Sequence, residues 1–194
     1  MPDRPSVLVV AGPNGAGKST ITAALDIVGV YVNADDIKAA AGLSDLEAAQ
    51  EAERIREGCL AAGLDFSFET VLSTDRNLAL LRRAKQAGYR IEAVIVVTRD
   101  PELCVLRVAG RVRGGGHNVP ANKVRLRFRR SLANVAELVS LSDSCAVFDN
   151  SGDLPVVIYR KTATQNTTLA APGWTAPQIS ALVESTPEPL THSS

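Results

Sequence analysis

The chain has 194 residues, 45% of them hydrophobic, enough for one sizeable core. Lys+Arg and Asp+Glu both number 21, which disfavours a sequence-independent nucleic-acid binder, and with 4% aromatic residues stacking on bases is not the main activity. Three cysteines outside any C-x-x-C spacing and two histidines indicate neither a disulfide framework nor a zinc cluster.

Met1–Ser6 is short and polar, and no apolar run reaches membrane-spanning length. The expectation is a cytoplasmic protein with neither a membrane nor a nucleic acid as partner. Ser6–Ala11 is a continuous β-branched run and reads as a buried parallel strand. It leads into Gly12, Pro13, Asn14, Gly15, Ala16, Gly17, Lys18, Ser19 and Thr20, in which Gly12, Gly17, Lys18 and Ser19 fit G-x-x-x-x-G-K-[ST]. Glycines let backbone wrap a phosphate, and successive N–H groups make a positive pocket. Lys18 adds a mobile charge for the β- and γ-phosphates, and Ser19 a hydroxyl for Mg²⁺. The loop predicts a bound nucleoside triphosphate without saying what becomes of its phosphate.

A helix is expected from about Gly17 to Val28, with Ile21, Ala24, Leu25 and Val28 on one face and Gly29 as its stop. Val30–Asn33 is a short second strand, ending in Asn33-Ala34-Asp35-Asp36 where a short helix begins. Ser44-Asp45-Leu46-Glu47 is a capping box that opens a long helix with inner residues Ala48, Ala52, Ile55 and Cys59. Asp65–Leu72 is the third strand, with Glu69 and Thr70 at its C-terminal end. A helix over about Asp75–Ala87 turns Leu78, Leu81 and Ala84 inward, and Ile91–Thr98 is a fourth, strongly apolar strand.

Pro101 begins a helix carrying Arg107 and Arg111 on one face, ending at the hinge Gly114-Gly115-Gly116. Pro120 opens another long helix, with Val124, Phe128, Leu132, Val135 and Leu138 at helical spacing. Cys145–Phe148 and Pro155–Arg160 read as strands joined by Asp149-Asn150-Ser151-Gly152, better taken as a tight turn than as an adenine contact. After Thr162 the pattern fades; Ala176–Ser185 fits one short helix, and disorder is expected in the last ten residues. The division expected is a domain over 1–162 and a C-terminal extension over 163–194.

Strands alternating with helices predict an α/β fold, a mostly parallel sheet covered on both faces. Ligands in such sheets sit beyond the C-terminal strand ends. The glycine-rich loop, Asp35, Glu69 and Thr70 therefore belong in one crevice. Charge is also polarised: residues 35–69 hold nine acids and three bases, residues 99–130 nine bases and two acids. A motor ATPase would need a Leu-Ser-Gly-Gly-Gln signature and a GTPase switch an Asn-Lys-x-Asp, and neither string occurs. An acid after strand two and a hinged arginine-rich segment after strand four favour a small-molecule kinase.

The strings VNADDI, FET and RVAGRVRGGGHNVP, with a following helix that ends RRSLANVAEL, resemble the zeta toxin family of P-loop kinases over about residues 5–160. That resemblance implies a P-loop kinase fold and transfer of the ATP γ-phosphate to the 3′-hydroxyl of the amino sugar in UDP-N-acetylglucosamine, with Mg²⁺. Asp35 matches the catalytic aspartate, which takes the acceptor's proton; the alternative is that Asp35 or, by preference, Asp36 caps the helix. Asn33, Asp35, Glu69 and Thr70 look like the substrate contacts, with Glu69 alternatively a Mg²⁺ ligand and Thr70 alternatively a plain strand residue. Arg111 matches the first phosphate-binding arginine, with Arg107 and Arg113 near enough to share its work. His117 stands where better-studied members carry a second arginine, so the acceptor could instead be another nucleotide-linked compound. A non-catalytic ATP-binding regulatory module is the remaining alternative. Members with a toxin role are silenced by a separate antitoxin, and none is expected fused here.

Overall fold

The computed structural model describes residues 4–113 and 119–184. The expected hinge Gly114-Gly115-Gly116, His117 and the C-terminal tail lie outside the described residues, and so does the side chain of Arg113. The centre of the sheet is β1 (Ser6–Ala11), whose residues from Val7 onward are all buried. It pairs in parallel with β3 (Phe66–Thr70) on one side and β4 (Arg90–Val97) on the other. Beyond them lie β2 (Val30–Val32) and β5 (Ser144–Asp149), both parallel, and β6 (Val156–Lys161) and β7 (Asn166–Thr168) extend the β5 edge antiparallel. The order is β2-β3-β1-β4-β5-β6-β7, a mostly parallel seven-stranded sheet.

The first helix is shorter than the sequence predicts. α1 spans only Lys18–Thr22 and turns at Ala23 instead of running to Val28. Thr20, Ile21 and Thr22 are successive β-branched residues, which lose χ1 freedom in a helix, and the Thr22 hydroxyl is drawn to Glu69 of β3 at 2.7 Å. The chain then extends, and Val28 exchanges two hydrogen bonds with the Ser67 hydroxyl beside β2.

α2 (Ala34–Ala41) and α3 (Asp45–Ala62) flank β2, and α3 begins with the full reciprocal capping box of Ser44 and Glu47. The inner stripe of α3 includes a residue no pattern announced. Arg56 is buried, with its guanidinium 5.1 Å from the Phe68 ring centroid. α4 (Arg76–Gln86) packs Leu78, Leu81 and Ala84 into the main core, and α5 (Pro101–Arg113) follows β4.

The single helix expected after Pro120 is two: α6 (Ala121–Ala133) and α7 (Val135–Leu141), meeting at Asn134. The Asn134 side chain explains the break, because its amide donates to the Leu72 carbonyl at 2.9 Å. Leu72 is a non-glycine residue at φ +58, held by Asn134 and by its own N–H donating to the Thr70 hydroxyl.

β7 had no signature in the polar stretch after Thr162, yet it pairs with β6. α8 (Ala176–Glu184) sends Ile179 and Val183 into the main core. Among the described residues, no helix is long and apolar enough to cross a membrane.

Candidate active site

The loop after β1 is shaped by close backbone approach. Gly12 has φ +148, and a Cβ there would lie 2.0 Å from the Val96 carbonyl oxygen; Gly17 has φ +95, and a Cβ would lie 2.1 Å from the Asn150 side-chain nitrogen. The Gly12 N–H donates to the Thr70 carbonyl, which ties the loop to the end of β3. Ala16 N–H closes back on Pro13. Among the described residues, the N–H groups of Asn14, Gly15, Gly17 and Lys18 meet no protein acceptor. A cluster of unpaired amides around a tight loop is a cradle for an anion.

Lys18 is half-buried and folds its ammonium onto the Gly12 and Pro13 carbonyls at 2.9 and 3.3 Å. Burial pushes its pKa below the ordinary lysine value, and Arg111 adds to that push, while Glu69 and Asp35 oppose it. Ser19 and Thr20 are exposed at the start of α1.

Across the cleft, β2 and β3 present a connected set of polar groups. Glu69 Oε1 accepts from the Thr22 hydroxyl at 2.7 Å and from the Tyr31 hydroxyl at 3.0 Å. The Tyr31 oxygen in turn accepts from the Asn33 amide at 3.1 Å. Burial, with Glu69 nearby, pushes the Tyr31 phenol up to about 12 although the Asn33 bond opposes the rise. Tyr31 was not singled out from the sequence, because a lone tyrosine in a three-residue strand carries no signal.

The cap of α2 is Asn33, whose side chain accepts from the Asp35 N–H at 2.9 Å; neither Asp35 nor Asp36 caps the helix. Both aspartates sit exposed in its first turn, and among the described residues the Asp35 carboxylate accepts no hydrogen bond. Thr70 is buried, and its hydroxyl accepts from the Leu72 N–H and the Asn77 amide, so it shapes the turn after β3.

One cleft of about 500 Å³ gathers these groups. Asn14, Gly15, Gly17, Lys18, Ser19, Thr20, Asn33, Asp35, Glu69, Thr70, Arg107 and Arg111 all line it. Gly12, Pro13 and Ala16 form the loop behind that lining. Arg111 is exposed on α5, whereas Arg107 spends one donor on the Asn150 carbonyl at 2.8 Å. The cleft also contains Lys38, Asp45 and Arg127, which no sequence motif marks as site residues. Arg127 lay inside the basic 99–130 segment, but nothing in the pattern distinguished it from its neighbours.

The profile of the zeta toxin family matches residues 1–164. The chain belongs to that family. An uncharacterized protein of Haemophilus influenzae is 25% identical over 123 residues, covering 60% of this chain and 88% of its own. Among solved structures, the complex of AvrRxo1-ORF1 and -ORF2 with ATP superposes with a TM-score of 0.71 at 16% identity, over 98% of this chain and 66% of that chain. This zeta toxin family chain thus spans just under two thirds of that neighbour's length. The PezAT chromosomal toxin–antitoxin system of Streptococcus pneumoniae gives a TM-score of 0.62 at 18% identity, over 93% of this chain and 84% of that one. At these identities the likeness is one of fold, a P-loop kinase-like α/β architecture. The zeta toxin match spans every residue of the cleft and stops before α8.

Proposed function

We propose that this zeta toxin family chain is an ATP-dependent kinase. It transfers the γ-phosphate to a hydroxyl of a nucleotide sugar, with the 3′-hydroxyl of UDP-N-acetylglucosamine as the first acceptor to try. The observation that carries the reading is the Asp35 carboxylate, free of hydrogen-bond donors and lining the same cleft as Lys18 and Arg111. A carboxylate left open to the cleft can accept the proton of a bound hydroxyl as its oxygen attacks the γ-phosphorus. The bond from that phosphorus to the β–γ bridging oxygen breaks, and ADP leaves.

The unpaired amides of Asn14, Gly15, Gly17 and Lys18 would take the phosphate oxygens. Lys18 would exchange its two carbonyl contacts for the β- and γ-phosphates, and Arg111 would neutralise charge as the phosphoryl group moves. Among the described residues, no three His, Cys, Asp or Glu side chains group to hold a metal unaided. A hydroxyl on Ser19 and a carboxylate on Glu69 suit Mg²⁺, which keeps waters and substrate phosphates as its other ligands. These two residues would hold it, and the ion would supply neutralisation of phosphate charge.

The described lining of the cleft has no aromatic side chain, so an acceptor there is held by hydrogen bonds and charge, as suits a hydroxyl-rich sugar. A separate antitoxin is the partner proposed, because PezAT is a two-component toxin–antitoxin system and its toxin fold is matched here.

The test is ADP release from Mg-ATP with and without UDP-N-acetylglucosamine, beside Asp35→Ala and Lys18→Ala. Stimulation by the sugar nucleotide, lost in both variants, is the expected result. Unchanged turnover in Asp35→Ala would overturn the assigned base. ATP binding without stimulation sends the search to other nucleotide-linked acceptors, and ATP binding without ADP release from any acceptor would favour a regulatory module.

A further inference from the structure

Arg127 reaches the glycine-rich loop from a helix that the P-loop motif does not include. It lies on α6, where Val124 and Phe128 are buried in the smaller core cluster with Ala16, Ile21 and Cys104. Position 127 is three residues from Val124 and adjacent to Phe128, so packing of these two anchors fixes the stretch of helix that carries the arginine. Its Nη1 donates to the Asn14 Oδ1 at 3.4 Å, across 113 residues of sequence.

That contact is a poor use of a guanidinium. Arg54, Arg76, Arg82, Arg83, Arg90, Arg99 and Arg125 each face a carboxylate. Among the described residues, Arg127 has none within ion-pair range, although it is half-buried and its helix neighbour Arg125 makes a two-pronged bond to Glu102. One long bond to a neutral amide leaves most of its five N–H donors for another acceptor. An oxyanion would attract it more strongly, since charge-assisted bonds are shorter and roughly twice as strong.

The location says which anion. In a loop of this sequence the lysine serves the β- and γ-phosphates. The Lys18 ammonium rests on the Gly12 and Pro13 carbonyls, so the neighbouring Asn14 stands at the β/γ end of the cradle. Arg127 and Arg111 both line the cleft, from α6 and α5 respectively.

We propose that Arg127 is a γ-phosphate-binding residue: parked on Asn14 in the free protein, it transfers its guanidinium to the terminal phosphate and makes the site discriminate ATP from ADP. The proposal rests on the cleft being a triphosphate site, but it needs no particular acceptor.

The experiment measures binding of Mg-ATP and Mg-ADP to the full chain by calorimetry, for wild type, Arg127→Met and Arg127→Lys. Arg127→Met should weaken ATP by roughly ten- to a hundredfold, the range expected for a lost charged hydrogen bond, and leave ADP within about twofold. Arg127→Lys should recover part of the ATP affinity, because it restores the charge without the fork. Equal weakening of both nucleotides, or of neither, would overturn the proposal while leaving the triphosphate site intact. A wild-type chain that binds neither nucleotide would overturn both together. Should Arg127→Met not fold, Arg127→Lys decides alone: a selective loss for ATP supports the role, and unchanged or equally reduced affinities overturn it.

Discussion

The Asn150 side-chain amide donates to the Ala16 carbonyl at 2.7 Å and so joins the end of β5 to the glycine-rich loop. The Asn150 carbonyl also accepts from Arg107, so one residue ties loop, sheet and α5 together. Asn150→Ala should cost about 1 kcal/mol, or a melting temperature lower by about 2–4 °C for a chain of this size. Nucleotide affinity should fall several-fold as the loop loosens. Gly17→Ala should be worse, since its Cβ would sit 2.1 Å from the same Asn150 nitrogen at a φ of +95. Calorimetric titration with Mg-ATP checks both; wild-type affinity in Asn150→Ala would mean the loop holds its shape without this bond.

Lys18→Met should bind nucleotide poorly and yet be more heat-stable than wild type when nucleotide-free. Burial lowers the Lys18 pKa, so the folded chain binds that proton less tightly than the unfolded chain does. The ammonium therefore costs stability at neutral pH, and the cost fades as pH rises from the lowered value towards the ordinary lysine value. The stability gap between variant and wild type should shrink over that alkaline range. Thermal melts across pH test the sign: a variant less stable than wild type at pH 7 would contradict it.

The central sheet, the glycine-rich loop and the capping box of α3 were legible because each rests on local signals: a β-branched run, glycines at fixed offsets, a Ser and a Glu three apart. What escaped depends on distant partners. The break at Asn134 exists because a side chain reaches the Leu72 carbonyl on another element, and a helical period in Val124–Leu138 cannot announce that. The apolar stripe predicts a helix to Val28 and α1 stops at Thr22, because propensity outweighs periodicity where three successive β-branched residues oppose the stripe. Asp36 looked like the cap by residue type, but Asn33 holds the extended backbone that a cap needs. Tyr31, Arg127 and Asn150 take their places in the site from tertiary contacts alone.

Ser44→Ala should lower stability by about 1 kcal/mol, the usual worth of an N-cap, and melting by about 2–4 °C. The Ser44 hydroxyl accepts from the Glu47 N–H, and Glu47 returns a bond to the Ser44 N–H at 2.9 Å. The first turn of α3 also carries Asp45 and Ala48 into the cleft lining. Ser44→Asp, which keeps a capping oxygen, should stay close to wild type. A loss as large in Ser44→Asp as in Ser44→Ala would show that something other than the cap is at stake.

Tyr31→Phe should change both alkaline stability and phosphate transfer. The phenol is pushed up to about 12 in the fold from an ordinary 10.0. Between those values the unfolded chain loses the proton while the folded chain keeps it, so wild-type stability falls as pH rises through the window. Phenylalanine has no such proton, and the decline between about pH 10 and 12 should be shallower in the variant. The same substitution removes the 3.0 Å bond that orients Glu69 and the acceptor for the Asn33 amide. Glu69 then keeps only Thr22 as a donor, so transfer should slow by about tenfold or slightly more, as for loss of one hydrogen bond to a carboxylate of about 1.5 kcal/mol. ATP affinity should be preserved, because the Tyr31 hydroxyl bonds to Glu69 and Asn33 and not to the glycine-rich loop. Matched melts and single-turnover rates separate the two effects, and a Tyr31→Phe chain with wild-type transfer would show that Glu69 needs no help from Tyr31 to hold its place.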